Sequence, residues 1–211
     1  MKVYTTFTPS HRVLYENYFL KTLPDEFEVK AYEIPQECSS GDFYSDGWDK
    51  TCYRKVELFY NACEENMGDM FVFLDVDIQF FENIKDLLLE ELGDFDIACQ
   101  DDITTFSSGQ FICRCNDRTL NMFANMKEHY RLEDQTTLND HIWLCRHKFL
   151  SRKFFTFGHV LTKPWDGEDF DLPEDVVSHH ANWVIGVDNK IKIMDIAREK
   201  YNKMKGVMIE H

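Results

Sequence analysis

The chain has 211 residues, 44% of them hydrophobic and 15% aromatic, enough apolar material for a buried core and too much for a disordered polypeptide. Its formal charge is −15 and no basic block occurs, which excludes binding to nucleic acid through phosphate neutralisation. No run reaches the length of a membrane span and no apolar signal segment opens the chain, so a soluble, cytoplasmic protein is expected.

Lys2 to Phe7 alternates β-favouring residues and predicts a first strand at the extreme N-terminus. Thr8-Pro9-Ser10 breaks it, and Ser10 is placed to cap a helix over His11 to Leu23, with Val13 or Leu14, Tyr18 and Leu20 at helical spacing. Pro24-Asp25 ends that helix, and Phe27 to Ile34 alternates as a second strand. A β-α-β opening of this kind begins doubly wound sheets, although neither GxGxxG nor GxxxxGK[ST] is present to support a dinucleotide fold or a P-loop. Residues 35 to 48, with Pro35, Ser39, Ser40, Gly41 and Gly47, read as a long loop. Trp48 to Met67 follows as a helix with Cys52, Val56, Phe59 and Cys63 on one face, closed by Gly68. Lys55 on this helix is either a surface lysine or a group within reach of an anionic ligand.

Met70 to Leu74 is a continuous apolar run of strand length, as in a sheet buried on both faces. It ends in Asp75-Val76-Asp77. Residues i and i+2 of a strand point the same way, so both carboxylates emerge together where the strand gives out. Two like charges so close are costly without a cation between them. Oxygen ligands with few protein donors suit Mg²⁺ or Mn²⁺, and the carboxyl edge of a parallel sheet is where open α/β folds hold ligands. The plainer reading is a solvated acidic turn, against which Phe80 and Phe81 follow at once.

Ile84 to Leu92 predicts a short helix ending at Gly93, and Phe95 to Cys99 a strand delivering Gln100-Asp101-Asp102. Ser107-Ser108-Gly109-Gln110 reads as a tight polar turn before a strand over Phe111 to Cys113. Asn116 is a helix cap for a segment reaching Tyr130, with Leu120, Phe123 and Met126 inward. Glu133-Asp134-Gln135 opens a further helix running to Cys145, where Asp134 either serves the helix dipole or takes part in catalysis. Lys153 to Phe157 predicts a strand. His179-His180-Ala181-Asn182-Trp183 then leads through Gly186 into a basic helix from Asp188 to Lys203. The seven cysteines are odd in number and scattered, and Cys113-Arg-Cys115 is no zinc-knuckle spacing, so they read as reduced thiols in a reducing compartment.

The ordered set Thr5-Thr6-Phe7, Asp75-Val76-Asp77, Ser108-Gly109, Asp134-Gln135 and His180-x-Asn182-Trp183 with Gly186 and Lys190 resembles the nucleotide-diphospho-sugar transferases of GT-A fold. The likeness spans about residues 3 to 192. The chain is also similar to glycosyltransferase modules encoded by large DNA viruses of algae, the chloroviruses. The resemblance implies one α/β domain, a mostly parallel central sheet flanked by helices, with a nucleotide-sugar half over about residues 1–100 and an acceptor or closing half over about 101–211. Asp77 and Asp75 would hold Mn²⁺ or Mg²⁺ against the donor diphosphate, Asp75 alternatively meeting the ribose, and His180 or its neighbour His179 would supply a third ligand. Val76 would lie beside the nucleotide, Gly186 and Lys190 would close over the diphosphate, and Lys55 would touch phosphate. Thr5, Thr6 and Phe7 would form the uracil and ribose edge, while Asp101, Asp134 and Gln135 would line the sugar pocket.

The implied reaction moves a hexose or deoxyhexose from a nucleotide-diphosphate sugar, by resemblance a UDP-sugar, to a glycan acceptor. Breaking the anomeric C–O bond leaves a diphosphate with new negative charge, which a divalent ion, a lysine and a histidine neutralise. A carboxylate such as Asp134 or Asp101 stabilises the oxocarbenium-like sugar. An inverting enzyme needs a carboxylate base on the acceptor hydroxyl; the resemblance leans to retention. Two other readings stand beside this one. In a haloacid-dehalogenase-type phosphohydrolase Asp75 is the nucleophile and Asp77 the acid/base, with Asp101-Asp102 as later metal ligands, though Gln79 stands where that motif has Thr or Val. A non-catalytic nucleotide- or carbohydrate-binding module is the other. The end at Glu210-His211, without a clear stop after a helix, leaves open a module of a larger multidomain protein.

Overall fold

The computed structural model describes residues 1–38, 45–161 and 163–206. Ser39, Ser40 and Gly41 of the expected loop, and Glu210-His211, lie outside the described residues.

β1 (Lys2–Phe7) leads through a 3₁₀ turn (Pro9–His11), a turn of α-helix, α1 (Arg12–Leu14), a π turn (Tyr15–Phe19) and a second α-turn, α2 (Leu20–Thr22), to β2 (Glu28–Glu33). The first helix thus forms, but interrupted. Ser10 does not cap it: the residue lies inside the 3₁₀ turn, its hydroxyl bonded to Thr8 Oγ1 and His11 Nδ1. α3 (Trp48–Glu65) buries the expected face, Cys52, Val56, Phe59 and Cys63, and adds Ala62. Next come β3 (Met70–Leu74), β4 (Ile78–Phe80), α4 (Lys85–Leu92), β5 (Ile97–Asp102), β6 (Thr105–Arg114) and α5 (Asp117–Glu128). α6 (Asp134–His141), β7 (His147–Phe149), β8 (Phe154–Thr156), β9 (Ser178–His180) and α7 (Val187–Met204) complete the described elements. Asn116 caps α5 as expected, its side chain accepting from the Thr119 N–H while the Asn116 N–H donates to the Thr119 hydroxyl.

Six strands form the main sheet in the order β2-β1-β3-β6-β5-β7, and all but β6 run the same way. β3 lies centrally, and its side chains alternate between two apolar layers. Phe71 and Phe73 pack with Phe59, Phe111 and Phe123 beneath α3 and α5. Val72 and Leu74 join the opposite layer with Phe19, Leu88 and Met194. Burial on both faces is what permits an unbroken apolar strand.

The turn expected at Ser107 to Gln110 is not a turn. These residues are the middle of β6, which runs antiparallel to both β3 and β5. Small polar residues occupy the strand there because its neighbours crowd it: a Cβ on Gly109 would stand 2.6 Å from the His180 ring and closer still to the Asp75 carboxylate. The hairpin turn falls instead at Ile103 and Thr104, both at positive φ (52° and 72°).

A second sheet of three strands, β4-β9-β8, stands beyond the end of β3. Its register sets Ile78 opposite His180 and Gln79 opposite His179, and the Ala181 N–H donates to the Asp77 carbonyl at 3.0 Å. Among the described residues no helix is long and apolar enough to cross a membrane. All seven cysteines are buried free thiols.

Candidate active site

β3 ends with its carboxyl end facing a cavity of about 680 Å³, the size of a small-molecule site. Asp75, Val76 and Asp77 form part of its wall. Strand β9, paired to β4 directly after these aspartates, carries His180 to them: its Nε2 lies 3.3 Å from Asp77 Oδ1 and 4.0 Å from Asp75 Oδ2. One ligand atom from each of the three residues falls within 4.8 Å of the others. The set of two carboxylates and an imidazole can hold a divalent cation such as Mn²⁺ or Mg²⁺. Its fit is supported by one atom in particular: His180 Nε2 is buried without a hydrogen-bond partner and faces the carboxylates.

His179, the alternative, points the other way because adjacent residues of a strand face opposite sides. Its ring lies between Phe155 and Phe170, with centroids at 6.0 and 6.1 Å, and burial together with the neighbouring His180 pushes its pKa down to about 3.

Two lysines flank the carboxylates. Lys55, projecting from α3, is 3.0 Å from each Asp75 oxygen and 2.7 Å from Asp134 Oδ2. Burial opposes the lysine charge, but Asp134 and Asp75 outweigh it and raise the pKa above the usual lysine range. Lys190, near the start of α7, pairs with Asp77 and donates to the Ala181 carbonyl at 3.1 Å. Burial pushes Asp75 upward; Asp77 feels the same push, yet the Lys190 ammonium beside it holds it well below the usual carboxylate range. Asp134 is likewise lowered, Lys55 and the Ser108 hydroxyl (2.6 Å) outweighing its burial.

Gln135 meets a carboxylate not assigned to the sugar pocket from sequence, Asp102. Asp102 Oδ2 accepts from Gln135 Nε2 at 2.8 Å, while Oδ1 accepts from Asn182 Nδ2 at 3.2 Å and from the Trp183 indole N–H. Asp101 is turned away, bonded to Arg152 Nε at 3.2 Å and to the Thr104 N–H at 3.0 Å, and is not among the residues lining the cavity. Thr5 is also absent from that wall: its side chain is fully buried, whereas Thr6 and Phe7 reach the cavity. Lys55, Asp134, Gln135, Gly186 and Lys190 all line it. β5 runs on past Cys99, where the sequence reading ends it, to Asp102, and its pairing is irregular between Cys99 and Asp101, so alternation along the chain gave no cue to Asp102.

This geometry can be set beside known proteins. The family model of nucleotide-diphospho-sugar transferases matches residues 17–194. The chain belongs to that family. Its fold is the GT-A fold of solved glycosyltransferases. The glycosyltransferase GlyE of Streptococcus pneumoniae superposes with a TM-score of 0.58 at 14% identity, over 96% of this chain and 61% of that one. Galactosyltransferase LgtC, solved with donor and acceptor sugar analogues, gives 0.53 at 11% identity over 99% of this chain and 100% of that one. Mouse xyloside xylosyltransferase 1 gives 0.51 at 13% identity over 86% and 98%. This nucleotide-diphospho-sugar transferase family member therefore spans 61% of the length of GlyE. No curated protein matches the chain. Family membership replaces the phosphohydrolase reading of Asp75-Val76-Asp77.

Proposed function

We propose that the protein is a metal-dependent glycosyltransferase that moves a hexose or deoxyhexose from a nucleotide-diphosphate sugar to a glycan acceptor with retention of anomeric configuration. The observation that carries this reading is the meeting of Asp75, Asp77 and His180 in one cavity wall with Lys55 and Lys190 beside them. Three anionic or lone-pair ligands next to two ammonium groups fit a bridged divalent cation and diphosphate, a pairing that lets a protein of charge −15 hold a polyanion.

Asp75, Asp77 and His180 would hold Mn²⁺ or Mg²⁺, which when bound supplies a Lewis acid for the departing diphosphate. Lys190 on the first turn of α7 is positioned to move from Asp77 to a phosphate oxygen, and Gly186 gives the segment before it room to close. Thr6, Phe7, Thr8, His11 and Ile34 line the same cavity and are assigned to the base and ribose of the donor, which the resemblance makes uridine-linked. Asp134 and Gln135 line this cavity as well. Asp134, tied to Lys55 and Ser108, is held ionised, which suits stabilising an oxocarbenium-like sugar more than taking a proton. Asp102, with three N–H donors upon it, is equally occupied, which leaves Glu133, pushed upward by burial and accepting, among the described residues, only from the Thr136 hydroxyl, as the cavity carboxylate able to take a proton. Retention is carried over from the resemblance.

The test is a screen of nucleotide sugars with Mn²⁺, scored by nucleoside diphosphate release. Release from one donor that stops in chelator is expected; a protein that neither binds nor turns over any nucleotide sugar with metal present overturns the reading.

A further inference from the structure

His180 is oriented by a residue with no part in the family motifs described above. Gln100 is fully buried in β5. Its Nε2 donates to the backbone carbonyls of Phe154 at 3.0 Å and Phe155 at 3.4 Å, which fixes the nitrogen end of the amide. Its Oε1 therefore meets His180 Nδ1, 2.7 Å away. An amide oxygen only accepts, so the hydrogen of this bond belongs to Nδ1. A neutral imidazole carries a single N–H, and Nε2 is left with its lone pair. That nitrogen is the buried, unpartnered atom 3.3 Å from Asp77 Oδ1. In the neutral ring this lone pair faces carboxylate oxygens with no hydrogen between them, a repulsive contact that is relieved when a cation enters.

We propose that Gln100 is a positioning residue that locks His180 in the Nδ1–H tautomer and so presents the Nε2 lone pair to a divalent cation shared with Asp75 and Asp77. The proposal rests on the metal reading of the site given above. An outer hydrogen bond of this type fixes both the ring orientation and the tautomer of a ligating histidine, and its loss typically weakens metal binding about 10- to 100-fold. Without the Gln100 acceptor, the Nε2–H tautomer becomes accessible and must be abandoned whenever metal binds.

Two substitutions separate positioning from simple packing. Gln100→Met removes both the donors to β8 and the acceptor for His180. Gln100→Glu removes the amide donors but keeps a carboxyl oxygen for Nδ1–H. Binding of Mn²⁺ alone, followed by the paramagnetic resonance of the free ion, is expected to weaken about 10- to 100-fold in Gln100→Met and to stay within a few-fold of the parent in Gln100→Glu. Equal losses in both variants, or none in Gln100→Met, overturn the proposal. A second measurement needs no variant: ¹⁵N chemical shifts of the metal-free parent protein, recorded at alkaline pH where the ring carries a single proton, are expected to show His180 Nδ1 protonated and Nε2 bare. The reverse assignment overturns the proposal even where Mn²⁺ binds well. A parent protein that takes up no Mn²⁺ while showing the Nδ1–H tautomer overturns the metal reading itself, and the cation-presenting role with it.

Discussion

Lys190 sits on Asp77: the ammonium pairs with Oδ2 and donates to the Ala181 carbonyl at 3.1 Å, in the segment that links β9 to α7. The side chain suited to grip a diphosphate thus neutralises a carboxylate suited to grip the metal. Metal and nucleotide are then expected to bind with positive coupling, because a phosphate draws Lys190 away as it delivers oxygens to the ion. Lys190→Met is expected to weaken Mn²⁺-dependent UDP binding about tenfold or more while leaving the affinity for Mn²⁺ alone unchanged or increased, as calorimetry can measure. A parallel loss of both affinities would break the link.

The two adjacent histidines predict opposite phenotypes. His180→Ala should lower metal affinity about 10- to 100-fold with little change in Tm. His179→Ala removes a fully buried ring from between Phe155 and Phe170 and should destabilise the fold by about 2–4 kcal/mol, with metal affinity retained in the folded fraction. Thermal denaturation and metal titration on both variants decide the pair.

Gly109→Ala should damage the site from the side of the sheet. The added methyl meets Asp75 and the His180 ring, so one of them must move. Because Asp75 N–H also donates to the Gly109 carbonyl at 2.7 Å, the two backbones cannot simply separate. A loss of metal affinity of about tenfold or more is expected, detectable by the same titration. Unaltered binding would mean that the carboxylate and imidazole need not meet over β6.

Asp101 and Asp102, neighbours in β5, should differ sharply. Asp102→Asn leaves the donors of Gln135, Asn182 and Trp183 facing an amide in a buried place, and turnover should fall by about 100-fold with a modest loss of stability. Asp101→Asn removes a pair with exposed Arg152 and should cost less than about 1 kcal/mol and little activity. Steady-state kinetics with the donor found in the screen compares them directly.

Away from the site, Asp96 should dominate acid sensitivity. The carboxylate is fully buried, and its burial is outweighed by Arg118, the Arg146 N–H and Asn116, which hold its pKa below the usual carboxylate range. A folded-state pKa below the unfolded value of about 3.9 means that this contribution is fully present above about pH 4 and is lost as pH falls through the folded pKa. Asp96→Ala should cost about 2–3 kcal/mol at neutral pH and flatten the fall in stability on acidification below pH 4. Denaturant titrations across that window provide the check.

The β-α-β opening, the buried run of β3 and the Asp75-Val76-Asp77 step at its end are all written in local pattern, because strand alternation and helix spacing are properties of neighbouring residues. So was the buried face of α3, Cys52, Val56, Phe59 and Cys63, whereas the fold decided that Lys55 enters the cavity. Tertiary structure alone decided which histidine meets the aspartates, since that depends on the pairing of Ile78 with His180 between strands a hundred residues apart. It also made Ser107 to Gln110 a strand, because crowding by Asp75 and His180 across the sheet, and not a change of direction, is what requires Gly109. The choice of Asp102 over Asp101 followed from where Gln135, Asn182 and Trp183 converge in space, and no periodicity in the chain records that convergence.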